Sequence, residues 1–208
     1  MKWKIIIALG LFSACQQAPR HLPLLGEPIV RERQEQGKTV YDSIYPVIPP
    51  FSFLDQDSSI VNEKTFAGKI YVADFIFLSC PAICPKMTAE MKKVYQAFGK
   101  EDRVMLLSHT IDPEHDTIPR LKAYTTSMEL DSRKWRFVTG NQDSIYHMAE
   151  KAYFSGAYKD STAPGGYAHS GGLLLIDQQR HIRGVYNGTS PDETKRLISD
   201  IHILLKEN

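Results

Sequence analysis

Apolar residues along this chain fall into short runs separated by polar turns, and the spacing within each run predicts an element. Residues 70–78 are mostly apolar and rich in β-branched and aromatic side chains, which predicts a central strand covered on both faces. Residues 86–98 follow as a helix, with Met87, Met91, Val94, Tyr95 and Phe98 at helical spacing. Ahead of them, 51–54, the polar turn 55–59 and 60–61 predict a β-hairpin. Behind them come strand 104–110, helix 118–128, strand 134–138, helix 141–153, strands 172–177 and 180–186, and helix 191–206. Ser190 suits the cap of that last helix and Pro191 its first position. The order predicts one α/β domain over 44–208, with a central mixed sheet, helices on both faces and an N-terminal β-hairpin extension.

The first 43 residues follow a different pattern. Lys2 and Lys4 precede a short apolar run, 5–12, and the small residues Ser13 and Ala14, which is the order of a cleaved leader. The sequence 11–15, Leu-Phe-Ser-Ala-Cys, resembles a bacterial lipobox, whose cysteine is acylated and becomes the first mature residue. Residues 1–14 are therefore expected to be a lipoprotein signal peptide, Cys15 the lipidation site, and 15–43, polar and without sustained apolar periodicity, a flexible tether. Part of it, near Val40, Tyr41 and Ile44, could pack on the domain as an edge strand.

Composition narrows the function. With 208 residues, 42% hydrophobic and 24% charged, the chain fits one ordinary globular domain. Removing the leader takes 25 basic residues to 23 against 24 acidic ones, so no basic field for nucleic acid is present. The expected location is the bacterial cell envelope, with a lipid-anchored domain facing the periplasm, an oxidising compartment.

Candidate chemistry concentrates at Cys80-Pro-Ala-Ile-Cys84-Pro85. Pro85 fits the first turn of a helix and clashes further in, so the helix should start with Cys84 as cap and Pro85 at its first position. Both thiols would then lie near a helix N-terminus, where free amides and the dipole favour thiolate. From the residues alone the pair could carry electrons, hold a metal or staple a loop.

The residues 75–85, Phe-Ile-Phe-Leu-Ser-Cys-Pro-Ala-Ile-Cys-Pro, are followed by Asp112-Pro-Glu-His-Asp-Thr117. Further on, His169 precedes an apolar strand. In this order they resemble the Sco/SenC family of thioredoxin-like copper proteins, over about residues 48–205. The resemblance implies a thioredoxin-like fold that binds one copper ion, Cu(I) or Cu(II), through Cys80, Cys84 and His169. It also implies delivery of copper to the CuA-bearing subunit of cytochrome c oxidase, or reduction of that centre's cysteines. Soft thiolates suit Cu(I), and one imidazole extends the site to Cu(II). Structural zinc would want a fourth protein ligand, for which the sequence offers no obvious candidate. The chain departs from the family at Ala168, where an acidic residue is more usual, and at Gly171 and Gly172.

Other features have plainer readings. Asp116 or Thr117 is expected to cap the helix at Ile118, a part in holding the copper site being the minority reading; Met87 and Met91 should pack the core. His109, His115 and His147 are substitutes for the third ligand, and the glycine-rich flanks of His169 suggest a mobile loop that brings the imidazole to the sulfurs. Two alternatives stand beside the chaperone: a thiol-disulfide oxidoreductase or redox sensor using Cys80 and Cys84, and an interaction domain with a structural disulfide.

Overall fold

The computed structural model describes residues 21–207, so the leader and Cys15 lie outside the described residues. A seven-stranded sheet runs in the order β11-β10-β5-β6-β7-β3-β4. Its strands are β3 (Ser52–Asp55), β4 (Ile60–Asn62), β5 (Ile70–Ile76), β6 (Val104–Thr110), β7 (Trp135–Thr139), β10 (Gly172–Ile176) and β11 (Ile182–Asn187). Strands β5, β6 and β7 are parallel and the outer pairs antiparallel, which makes the sheet mixed. Every residue of β5 and β6 is buried, as expected of strands covered on both faces.

Four α-helices cover the sheet: α1 (Cys84–Phe98), α2 (Ile118–Ser127), α3 (Gln142–His147) and α4 (Pro191–Leu204). On one face, Tyr95 of α1 packs at a tilt against Trp135, and Tyr124 of α2 meets Phe137 edge-on. Met87 and Met91 are fully buried there, so the core reading holds. On the other face, Tyr153 packs against Phe75 and His109, just past α3. The helix expected over 141–153 changes to a wider π turn at Met148–Ala152, while Met148, Ala149 and Tyr153 all remain in the core. Ser190 caps α4, its hydroxyl accepting from the Glu193 amide.

Residues 29–43 differ from the flexible tether expected there. Antiparallel strands β1 (Ile29–Glu35) and β2 (Lys38–Ile44) form a hairpin closed by Gln36 and Gly37, both at positive φ, 50° and 78°. Two such residues make the turn whose twist matches that of the strands, and Gln-Gly between β-compatible runs was its sequence signal. Upstream, Arg183 grips the segment at 22–25: its guanidinium donates to the carbonyls of Leu22 (2.6 Å) and Pro23 (3.1 Å) and pairs with Glu207 and Asp177. The Leu25 amide donates to Ile182, and Leu22 is buried. This attachment is at the Ile182 end of β11, opposite the end from which β5 leads into Cys80.

Two titratable groups are enclosed by the core. Burial lowers the His109 pKa to about 3 and raises the Asp74 carboxyl to about 7. His109 is ringed by Phe51, Phe53, Phe75 and Tyr153. Below its ordinary value of 6.5 the unfolded chain takes up the His109 proton and the folded one does not, so this group lowers stability as pH falls. Asp74 acts oppositely: the folded state keeps its proton from 3.8 up to about 7, so stability drops as pH rises through that window. The two slopes cancel between about pH 4 and 6.5. Relative to the wild type, Asp74→Asn should lose about 1.4 kcal/mol of unfolding free energy per pH unit on acidification through that range. His109→Phe should leave the reverse slope; urea melts at stepped pH giving parallel profiles for all three proteins would contradict this account.

Candidate metal centre

Strand β5 ends at Ile76, and the chain turns through Phe77 to Ser79, with the Cys80 amide donating to the Phe77 carbonyl at 3.2 Å. The carboxyl ends of parallel strands are where open α/β sheets place their ligands. Helix α1 then begins one residue earlier than its proline suggested: Cys84 is its first residue, Pro85 its second and Ile83 its cap. Ile83 offers no side-chain cap.

The two thiols consequently differ, which corrects the expectation that both favour thiolate. Burial by itself would raise Cys80, but hydrogen bonding by the amides of Cys84, Ala82 and Ile83 and by the Cys84 thiol outweighs it, and the pKa falls below the ordinary value. The Cys80 sulfur thus takes the place of the missing cap. Cys84 lies inside the helix and is more deeply enclosed. Burial pushes its thiol well up, and the neighbouring Cys80 sulfur adds to the rise. Both cysteines are free.

His169 reaches this pair from an insertion that the sequence pattern missed. Strands β8 (Ala157–Lys159) and β9 (Tyr167–His169) form a small antiparallel sheet, so the histidine ends a strand rather than riding on a mobile loop. Gly165 brings the insertion close: at φ +79°, an added Cβ would lie 2.8 Å from the Phe77 ring and 3.2 Å from Pro81. Tyr167 and His169, two apart on β9, both pack on Phe77, at ring distances of 5.0 and 5.9 Å. The Tyr167 hydroxyl donates to Asp112 at 2.7 Å, which ties β9 to the loop after β6. The Ser170 amide bonds the Gly156 carbonyl and fixes the far side.

The result is a three-donor cluster. Cys80, Cys84 and His169 place one ligand atom each within 4.8 Å of one another, with Cys84 Sγ and His169 Nε2 3.2 Å apart. His169 Nδ1 donates to the Ser170 carbonyl at 3.2 Å, which leaves the Nε2 lone pair directed at the sulfurs. Burial lowers the His169 pKa and keeps the ring neutral. Of the two thiols Cys84 is the one that burial keeps protonated, and with Nδ1 occupied its S–H faces the Nε2 acceptor. Two sulfurs and one imidazole nitrogen fit a soft ion, and no fourth ligand joins them among the described residues. A cleft of about 210 Å³ lined by Cys80, Ile83, Pro164 and His169 opens onto the donors. The larger cleft, about 650 Å³ between Leu25, Phe154 and β11, reaches the site only at Ser170 and Gly171.

The substitute ligands are elsewhere. His109 is buried under aromatic rings, His115 pairs with Asp112 at 2.9 Å, and His147 ends α3. The capping role expected of Asp116 or Thr117 is also corrected. Thr117 occupies the cap of α2 without a side-chain bond, and Asp116 points inward, accepting from the Leu78 amide (3.0 Å) and the Thr110 hydroxyl (2.6 Å). A buried carboxylate needs such donors, and the turn after β5 supplies one. An acid-rich loop directly after an apolar strand was the available signal for this.

In the reduced protein Cys80 should be alkylated by iodoacetamide well before Cys84, as read by mass spectrometry of timed digests. Metal uptake should release protons to the buffer, the Cys84 proton among them, measured by calorimetry in buffers of different ionisation enthalpy. Equal alkylation rates, or no proton release, would contradict the assigned asymmetry.

The sequence profile of the SCO1/SenC family matches residues 41–206. A solved SCO1/SenC family lipoprotein from Bacillus anthracis str. Ames is 30% identical, with a TM-score of 0.71 over 77% of this chain and 95% of its own. BsSco, described with a disulfide switch and as a member of the Sco family of cytochrome c oxidase assembly proteins, is 29% identical, with a TM-score of 0.68 over 78% and 95%. ScoI of Bradyrhizobium japonicum, solved with copper bound, is 26% identical, with a TM-score of 0.61 over 74% and 98%. The thioredoxin-like architecture implied by the resemblance is borne out by these likenesses. Since the family profile runs from β2 through α4 and takes in both cysteines and the distant histidine, the chain belongs to the SCO1/SenC family.

Proposed function

We propose that this protein is a membrane-tethered copper chaperone that binds copper through Cys80, Cys84 and His169 and presents it to the CuA-bearing subunit of cytochrome c oxidase. The observation that carries this reading is the three-donor cluster, joined from segments 85 residues apart. The copper-bound ScoI relative and the oxidase-assembly description of BsSco support it. The ion is cargo. Cys80, the more acidic thiol, is the first donor available to it, Cys84 follows on giving up its proton to solvent, and the oriented Nε2 lone pair completes the set. A three-donor site open to a cleft lets an acceptor thiolate displace these ligands one at a time.

We further propose lipid attachment at Cys15 and a domain held in the periplasm of a bacterial envelope. The lipobox-like sequence and the description of the B. anthracis relative as a lipoprotein support this. No helix among the described residues is long and apolar enough to cross a membrane.

One observation favours a second reading. A thiolate-prone Cys80 beside a protonated Cys84 is the arrangement of a dithiol reductant, in which Cys80 attacks a partner disulfide and Cys84 resolves the mixed disulfide. Two electrons pass to the partner and a Cys80–Cys84 disulfide remains.

Titration of the reduced protein should show one Cu(I) or Cu(II) per chain. His169→Ala should weaken Cu(II) at least about 10-fold. Absence of stoichiometric binding, or indifference to His169→Ala, would sink the metal reading. In a disulfide-reduction assay, loss of activity in Cys80→Ser with retention in His169→Ala would favour the reductase. Labelled fatty acid should enter the wild type in cells and not Cys15→Ser.

A further inference from the structure

The loop that enters Cys80 is fastened from outside the metal centre. Asp116, fully buried, joins three segments: it accepts from the Leu78 amide in the turn after β5 and from the Thr110 hydroxyl at the end of β6, and it pairs with Arg120 of α2 at 3.4 Å. Arg120 continues the connection. Its second terminal nitrogen donates to the Ser79 hydroxyl at 2.7 Å, next in sequence to Cys80. Its Nη1 also reaches the His115 carbonyl, at 3.5 Å. The two residues immediately before Cys80 are thus held by one carboxylate and one guanidinium, neither of which touches a sulfur.

We infer that the Asp116–Arg120 pair is a positioning device for Cys80, fixing its sulfur over the α1 amides and at metal-binding distance from Cys84 and His169. This rests on the metal-site reading above and extends it to residues outside the donor set. The chemistry requires an arginine. A guanidinium can address Asp116 and Ser79 at once through a planar fork, whereas a lysine ammonium is a single point charge on a flexible stem. The i, i+4 spacing of Asp116 and Arg120 also connects the loop to the rigid start of α2, so the clamp is anchored to a helix rather than to another loop.

Variants Arg120→Met, Arg120→Lys and Asp116→Asn test the inference through three readouts on the purified full chain: Cu(II) affinity, the sulfur-to-copper absorption band, and the equilibrium of the Cys80–Cys84 disulfide with glutathione. Arg120 is 41% exposed, so its variants should fold and melt cooperatively, which keeps the test open if Asp116→Asn does not fold. Arg120→Met should weaken Cu(II) by about 10- to 100-fold, the usual cost of losing an outer-shell contact, shift the absorption band, and change the glutathione equilibrium several-fold. Arg120→Lys should resemble Arg120→Met, because charge without the fork does not restore the loop. Three results would each overturn the inference: wild-type affinity, band and equilibrium in Arg120→Met; full rescue by Arg120→Lys; or a lowered melting temperature with unchanged readouts in the folded protein. If the wild type binds no copper, the chaperone reading fails by itself, while the glutathione equilibrium and the Cys80 alkylation rate still decide the positioning role.

Discussion

The contact between Cys84 Sγ and His169 Nε2, 3.2 Å apart, closes the site, and the elements around it are arranged to make that contact. A thiol whose proton is held by burial faces an imidazole kept neutral by burial, and each supplies what the other lacks. Neither segment could fix this geometry alone. The cysteines come with the turn between β5 and α1, and the histidine comes with an insertion that only the pairing of β8 with β9 and the close approach at Gly165 bring into place.

Around this contact the electrostatics separates two chemically identical side chains. Cys80 lies outside the first turn of α1 and receives its amides, so an anion there is stabilised by hydrogen bonds that would otherwise lack a cap. Cys84 is part of the same turn and faces the core, where the backbone hydrogen bond from Phe77 does not offset burial. Two sulfurs of unequal acidity and one oriented imidazole can take up a soft cation as the thiol protons leave. The same arrangement can donate an electron pair to a disulfide, which is why metal and redox readings converge on one site.

The segment 112–120 joins the halves. Asp112 accepts from Tyr167 on the histidine strand, and Asp116 with Arg120 holds the residues that lead into Cys80. At the other end of the sheet, Arg183 fastens the chain at 22–25 beside Glu207. The domain is therefore entered at the end of the sheet opposite its donors, and less of the N-terminal stretch is free than its polar composition suggests.

The amino-acid sequence by itself determined the order of the strands of the seven-stranded sheet and of the four helices on it, because apolar periodicity is local and the buried runs of β5, β6 and α1 are unambiguous. It also marked all three donors, since Cys80, Cys84 and His169 occur in a recognisable order. Tertiary structure decided what local pattern does not encode: which thiol meets free amides, that Asp116 turns inward to the Leu78 amide rather than capping α2, and that His169 ends a paired strand. It also decided that residues 29–44 pair as a hairpin. In each case the outcome depends on a partner distant in sequence or on how deeply a group is enclosed. A side chain's neighbours along the chain reveal neither.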